Sequence, residues 1–328
     1  MNSETGAADT RPLRLGALRL GSRRSQMAVA QSRLVADQIT AKTGREVEIV
    51  GVTTLGDVSR ANLTQIGGTG VFVSALRDAL LRGEVDFAVH SLKDLPAVQP
   101  AEIALAAVPP RDDPRDALIA RDGAKLADLP TGARIGTGSP RRAAQLLALR
   151  GDLRCVPIRG NADTRISKID AGEVDAVVLA YAGLARIGRL DVATQVFEPE
   201  EMLPAPGQGA LAVECQAADT ELAELLGTVS DVPSVAATTA ERALLEALAA
   251  GCHAPVAAYA SGAAGDRLTM HAVVMSTDGT TILRAHGGGL MATARELGRD
   301  LAADLLRAGA AELIKVPQAP VTSGNDVQ

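Results

Sequence analysis

Three kinds of residue in this chain stand where they could do chemistry: arginines at helix starts, a lysine–aspartate pair at a strand end, and a cysteine on a turn. Arg23 and Arg24 sit in Gly21-Ser22-Arg23-Arg24-Ser25, and Arg141 and Arg142 follow Ser139-Pro140. Arg159 and Arg165 bracket Gly160-Asn161-Ala162-Asp163-Thr164. The unpaired N–H groups of a helix's first turn carry partial positive charge, so arginine is unfavourable there unless an anion sits beside it. Only five of the 33 basic residues are lysine (Lys42, Lys93, Lys125, Lys168, Lys315), and arginine's planar fork is the one that pairs carboxylates or phosphates bidentately. An alanine- and arginine-rich composition accounts for arginines scattered along helices. It does not account for those at loop-to-helix junctions, which predict a pocket for a small anion.

Lys93 and Asp94 lie in AVHSLKDLP (88–96), which runs off a strand end into a loop, where open α/β sheets place their ligands. The pair reads either as a surface ion pair or as an acid/base group, and the position favours Asp94 as the acid/base. Cys252 follows the helix-stopping Gly251 in Ala250-Gly251-Cys252-His253-Ala254-Pro255. A lone turn cysteine is commonly inert, but an exposed thiolate there attacks carbon readily and can leave a stable thioether. Cys155 and Cys215 read as buried or half-buried strand residues, and an odd count of three without metal-like spacing argues against disulfides or zinc. His90 reads as a strand-end residue; His253, His271 and His286 form no local ligand pattern. Gly67-Gly68-Thr69-Gly70 lacks the lysine of a phosphate loop and the spacing of a dinucleotide fingerprint, so it reads as a flexible loop, and Gly287-Gly288-Gly289 as the exit of a hairpin.

The formal net charge of -6 argues against nucleic acid or an acidic membrane surface as partner. Aromatic content of 2% leaves few stacking platforms for bases or sugars. No apolar run approaches the roughly 18 residues of a membrane span, and Met1 to Pro12 lacks the apolar core of a signal peptide. The expectation is a soluble, cytoplasmic protein without a metal.

Apolar periodicity supplies the elements that must position these residues. Strands are expected at 17–22, 46–54, 85–90 and 103–108, with helices at 27–40 and 73–82, forming one α/β lobe. The proline-punctuated stretch Pro109 to Asp116 reads as a hinge. A second, similar lobe follows: strands at 117–120, 134–137, 153–158 and 175–180, and helices at 140–150 and 164–171. Ser139 as N-cap with Pro140 at the first helical position is a strong helix start. Leu203 to Gly209 breaks the pattern, and the strand 210–215 is placed to return to the first lobe, giving two lobes joined by two crossings around a cleft. A helix at 234–250, strands at 256–260, 267–277 and 280–286, and a helix at 293–307 complete a small α+β domain. The expected division is 13–109 plus 210–228 for lobe 1, 114–203 for lobe 2 and 232–317 for the third domain, with 1–12 and 318–328 disordered.

Six ordered blocks, AVHSLKDLP (88–96), DPRDA (113–117), GTGSPRRAAQ (136–145), RGNADTR (159–165), PAPGQGALAVEC (204–215) and ERALLEALAAGCHAP (241–255), resemble the hydroxymethylbilane synthase (porphobilinogen deaminase) family. The resemblance spans nearly the whole chain. It implies two periplasmic-binding-protein-like lobes with a hinge plus the C-terminal α+β domain. It also implies a transferase that condenses four porphobilinogen molecules head to tail, releasing ammonia each time, on a covalent dipyrromethane cofactor, and then frees hydroxymethylbilane by hydrolysis. Cys252 matches the attachment cysteine. Matched residue by residue, Lys93, Ser139, Arg141, Arg142 and Arg159 are implied for cofactor carboxylates, and Arg23, Ser25, Arg165 and Arg186 for substrate. Asp94 is implied as the catalytic carboxylate that stabilises the azafulvenium ion left by ammonia and shuttles protons. A monomer is implied as well.

The chain departs from the family pattern at Leu55, where an arginine is usual, at Thr69 in place of a basic residue, at Gln26 in place of proline and at Gly138 in place of serine. Rival readings are a two-lobed solute-binding protein or a regulator's effector domain. The missing export signal and the missing helix-turn-helix count against them, and neither explains Cys252. A phosphate-ester enzyme would use the arginines but lacks a loop to cradle the phosphates.

Overall fold

The computed structural model describes residues 16–52, 70–251 and 254–314. The loop carrying Leu55 and Thr69, Cys252 itself and both chain ends lie outside the described residues. Two five-stranded sheets carry the first two-thirds of the chain. The first takes β1 (Leu18–Ser22), β2 (Val47–Gly51), β3 (Phe87–Ser91), β4 (Ile103–Ala107) and β10 (Leu211–Gln216) in the order β2-β1-β3-β10-β4. The second takes β5 (Asp116–Ala120), β6 (Arg134–Gly136), β7 (Arg154–Val156), β8 (Ala176–Ala180) and β9 (Gln195–Val196) in the order β7-β6-β8-β5-β9.

The two sheets share one plan. β1 runs parallel to β2 and β3, and β6 parallel to β7 and β8, while β10 and β5 are the antiparallel strands of their sheets. The central strands β3, β5, β8 and β10 are buried almost throughout, as sheets covered on both faces require. In the first sheet α1 (Gln26–Thr43) supplies Val35, Ala36 and Ile39 against Leu18, Leu20, Phe87 and Val213. It starts at Ser25, whose hydroxyl accepts from Ala28 N, and ends at Gly44 with φ 70°. On the same lobe α2 (Gly70–Leu81) buries Leu76 and Leu80 against Val85 and Ala88.

Residues 108–115 lead out of the first sheet and residues 197–210 lead back. The two crossovers touch: Asp112 N donates to the Gly209 carbonyl at 3.2 Å. Gly209 has φ 87°, and a Cβ there would lie 2.4 Å from the Asp112 carbonyl oxygen, so only glycine allows this approach. In the second lobe the helices are α3 (Pro140–Leu149), α4 (Ala162–Asp170) and α5 (Tyr181–Arg186); α5 and β9 carry too few residues to show a period in the sequence. After β10 comes α6 (Thr220–Gly227), again missed by periodicity and capped by Asp219.

The C-terminal domain is a three-stranded antiparallel meander, β11 (Val256–Ala263), β12 (Arg267–Met275) and β13 (Ile282–Leu290), covered by α7 (Val232–Ala247) and α8 (Ala294–Arg307). Leu244, Ala258, Met270, Val274 and Leu301 form its core. A short α9 (Ala310–Ile314) closes the described chain. Two expectations need correction. Gly287-Gly288-Gly289 is not a hairpin exit but paired strand, set opposite Met270, Thr269 and Leu268. Nor does α7 run to Gly251: it ends at Ala247, and Ala249 adopts φ 49°. Ala250 N bonds Leu245 O and Ala249 N bonds Glu246 O, the Schellman pattern, with alanine where glycine is usual. The chain is thus α/β, two similarly built lobes joined by two crossovers, with a small α+β domain behind them.

Candidate active site

A cleft of about 900 Å³ is lined by both lobes and the C-terminal domain. Lobe 1 contributes Lys93 and Asp94 from the single 3-10 turn Leu92–Asp94 that follows β3. Lobe 2 contributes Ser139, Arg141 and Arg142 from the start of α3, and Arg165 from the first turn of α4. The last turn of α7 and the residues just after it supply a third wall with Leu245, Glu246, Ala249 and Ala250.

The basic side is organised by a carboxylate. Asp116, fully buried at the start of β5, accepts hydrogen bonds on Oδ1 from Arg142 Nε at 3.0 Å and Nη2 at 2.7 Å, and its Oδ2 forms an ion pair with Arg141 Nη2 at 2.8 Å. Arg141 also donates to the Leu203 carbonyl at 2.7 Å, and Arg142 to that of Val178 at 3.0 Å. Gln208, buried in the second crossover, donates to Asp116 Oδ1 at 2.9 Å and to the Pro114 carbonyl at 2.6 Å. Its Oε1 accepts from Lys93 Nζ at 3.1 Å. A continuous path therefore runs from lobe 1 through the crossover to the arginines of lobe 2.

Lys93, Arg141, Arg142 and Arg165 set four cations against the two carboxylates of Asp94 and Asp116, an excess of two positive charges. Burial alone would raise the Asp116 pKa, but the two arginines hold it well below the usual carboxylate range. Lys93 keeps some exposed surface while its ammonium is enclosed; burial, then Arg142, lower its pKa to about 8 against the pull of Asp94 and Asp116. Burial and the charge of Arg142 also lower Arg165, which Asp94 opposes from the other lobe. Arg141 Nε is buried without a hydrogen-bond partner. Unpaired buried donors are rare in folded proteins, and this one belongs to a cleft that carries excess positive charge.

Six of the sequence-derived site residues thus share one cleft: Lys93, Asp94, Ser139, Arg141, Arg142 and Arg165. Ser139 caps α3 and accepts from Arg142 N. Four others lie elsewhere. Arg159 is exposed beyond β7. Arg186, at the end of α5, donates from Nε to Asp112 at 2.8 Å and from Nη2 to the Gly209 carbonyl at 2.6 Å, so it faces the crossovers. Arg23 is half-buried and Ser25 is spent on capping α1. Gly251 and Ala254, the described residues that flank the Cys252 segment, line the cleft.

Residues 18–224 match the family model described as porphobilinogen deaminase, dipyromethane cofactor binding domain, and residues 235–307 match porphobilinogen deaminase, C-terminal domain. The chain belongs to the porphobilinogen deaminase family. It is 60% identical over 304 residues to the porphobilinogen deaminase of Thermobifida fusca, covering 90% of this chain and 95% of the relative. Identity is 54% over 310 residues to porphobilinogen deaminase 1 of Streptomyces coelicolor (91% and 97% covered), and 49% over 305 residues to porphobilinogen deaminase of Mycobacterium tuberculosis (90% and 98% covered). Among solved structures, the methionine-binding protein MetQ aligns over 65% of this chain and 89% of its own at 12% identity with a TM-score of 0.43.

For a porphobilinogen deaminase, the side chains that the sequence reading passed over are those that hold the site together. Asp116 and Gln208 lie inside the quoted blocks 113–117 and 204–215, and an aspartate opening an apolar strand was the available signal. Glu241 of α7, fully buried, accepts from Arg111 Nη1 at 2.7 Å and from the backbone of Gly207 at 2.6 Å and Ala260 at 2.8 Å. It joins both crossovers to the C-terminal domain. In the sequence it looks like any helical glutamate.

Proposed function

We propose that this chain is a hydroxymethylbilane synthase, a transferase of tetrapyrrole biosynthesis. It condenses four porphobilinogen molecules head to tail with release of ammonia, on a dipyrromethane primer joined to Cys252 by a thioether, and then frees hydroxymethylbilane by hydrolysis. The observation that carries this reading is the meeting of Asp94 from one lobe with Arg141, Arg142 and Arg165 from the other in a single cleft. Porphobilinogen and its oligomers bear acetate and propionate groups, so a lengthening chain needs several guanidinium forks and little apolar depth.

The residues present fit the cofactor. The cluster's excess of two positive charges suits carboxylates, the unpartnered Arg141 Nε is a donor for one of them, and the start of α3 adds its partial positive charge. Lys93, Ser139, Arg141 and Arg142 would hold its carboxylates, with Arg159 assigned to the same group by the family motif alone. When bound, the group supplies a nucleophilic pyrrole α-carbon at its free end. Asp94 accepts hydrogen bonds from pyrrole N–H groups, holds the positive charge that develops as ammonia leaves, and takes up the proton displaced from the ring carbon. Arg165 fixes an incoming substrate carboxylate opposite Asp94, with Arg23, Ser25 and Arg186 assigned to the same substrate by the family motifs. We divide the chain into 13–109 plus 210–228, 114–203 and 232–317, and take it to act as a cytoplasmic monomer. No helix among the described residues is long and apolar enough to cross a membrane.

Intact-mass measurement of the purified protein tests the reading. An excess of two pyrrole units that disappears in Cys252→Ala is expected. A bare chain that gains nothing on exposure to porphobilinogen refutes it.

A further inference from the structure

Asp94 ends a three-residue turn between the buried Leu92 and Leu95, and the chain beyond Leu95 leaves that core for the surface. The loop beyond Asp94 is held from two sides. Arg242, on α7 of the C-terminal domain, donates from Nη2 to the Pro96 carbonyl at 2.6 Å and the Ala97 carbonyl at 3.1 Å, and from Nη1 to the Leu95 carbonyl at 3.4 Å. Two residues further on, Gln99 Nε2 donates to Glu214 Oε1 at 2.5 Å. Glu214 is fully buried on β10 and is itself gripped by Arg77 Nη2 at 2.7 Å and Nε at 3.0 Å.

The two braces differ in origin. Gln99, Glu214 and Arg77 all belong to lobe 1, so their network anchors the loop within its own lobe. Among the described residues, Arg242 is the side chain that donates hydrogen bonds to it from the C-terminal domain. Its neighbour in the helix is Glu241, the residue that binds both crossovers, so the segment of α7 that presents Arg242 is fixed in place. Three successive carbonyls pointing at one guanidinium use the donor fork of arginine; an ammonium, a compact point charge without a planar fork, does not match them.

We propose that Arg242 is a positioning residue, which sets the Asp94 turn against the C-terminal domain and so aligns the catalytic carboxylate with the end of the tethered chain. It does not touch substrate. Its contribution is the placement of Asp94 through the carbonyls of 95–97, and it rests on the reading of Asp94 given above.

The test uses the holoenzyme with its cofactor loaded, comparing Arg242→Lys, Arg242→Met and Asp94→Ala with the parent. Misplacing a reacting group by about 1 Å costs up to about a hundredfold in rate. Both Arg242 variants should therefore lose between tenfold and a hundredfold in kcat, with KM for porphobilinogen within about threefold of the parent. Faster amide exchange should be confined to the segment after Asp94, and guanidinium ion at non-denaturing concentration should partly restore Arg242→Met. Unchanged kcat in the Arg242 variants, with Asp94→Ala inactive, overturns the inference and leaves the role of Asp94 standing. Loss of kcat accompanied by a matching fall in melting temperature and faster exchange throughout the C-terminal domain also overturns it, because it marks a structural role. An active Asp94→Ala overturns both.

Discussion

Replacing Asp116 by asparagine separates the electrostatics of the cleft from its shape. The side chain keeps its size and one acceptor oxygen, but the charge that holds Arg141 and Arg142 is gone. The cluster goes from four cations and two carboxylates to four cations and one carboxylate, an excess of three instead of two. Asp116 is 0% exposed, and the two arginines are 4% and 6% exposed, so solvent does little to screen what is left. Removing one partner of a buried ion pair costs about 3–5 kcal/mol, because the other charge stays buried without compensation. That figure applies to the protein without its cofactor. Bound carboxylates replace part of the missing negative charge, so the loaded protein should lose clearly less.

The cofactor-free state is obtained with Cys252→Ala, and Asp116→Asn is introduced in that background and in the holoprotein. The chain has no tryptophan, so unfolding in urea is followed by far-ultraviolet circular dichroism. The expected result is a destabilisation of about 3–5 kcal/mol without cofactor, reduced by at least 1.4 kcal/mol, a factor of about ten in affinity, when it is present. A loss that is equal in the two states, or below about 1 kcal/mol in both, would refute the assignment of this cluster to carboxylate binding. The pH dependence gives a second check. The folded carboxyl of Asp116 lies below its unfolded value, so its contribution is fully present above the ordinary aspartate pKa of about 3.9 and is lost only in strong acid.

Two other outcomes rest on the same geometry. The depressed pKa of Lys93, about 8 against 10.5, means that the fold holds its proton less firmly than the unfolded chain does. Stability of the cofactor-free protein attributable to Lys93 therefore rises as pH passes from about 8 towards 10.5, whereas carboxylate binding, which needs the cation, weakens over the same range; assembly of the cofactor on the apoprotein should slow on the alkaline side with an apparent pKa near 8, and Lys93→Arg should move that limb upward, an unchanged limb excluding Lys93 as its source. Ala249→Gly relieves a left-handed alanine at the end of α7 and should stabilise the protein by about 1 kcal/mol, read as a raised urea midpoint; a lowered midpoint would mean that the φ of 49° carries no strain.

Much of the scaffold was legible because its signals are local. Ser139 with Pro140 announces a helix start, and the apolar runs of β3, β5, β8 and β10 announce buried strands. The arginines of the site were visible for the same reason, since cations beside helix N-termini break a local rule. What escaped is set by distance along the chain. Asp116 meets Arg141 and Arg142 across some 25 residues, Glu241 meets Arg111 across 130, and Arg242 meets Pro96 across 146. No period or cap encodes such pairs. Arg186 is the converse case, since its motif says substrate and its hydrogen bonds go to Asp112 and Gly209.

The two sheets explain why the long-range pairs fall where they do. Each lobe has one antiparallel strand beside its parallel set, β10 in the first and β5 in the second, and each is the strand that a crossover leads into. The crossover residues are therefore pinned next to the strand ends that carry the chemistry: Gln208 just before β10 reaches Lys93 after β3, and Asp116 at the head of β5 reaches the start of α3. Any rotation of one lobe against the other about the crossovers must strain or break the Lys93–Gln208–Asp116 path. The same residues that hold the positive charge are thus the ones that sense the angle between the lobes, so carboxylates arriving in the cleft act on charge balance and lobe geometry together. Gln208→Leu separates the two roles, because it removes the link while leaving the cations and both carboxylates of the cluster in place. It should leave cofactor assembly intact and change the rate at which successive substrates are added. Rapid-quench separation of the enzyme-bound intermediates reads that rate, and an unchanged time course would break the connection between the charge cluster and the lobe angle.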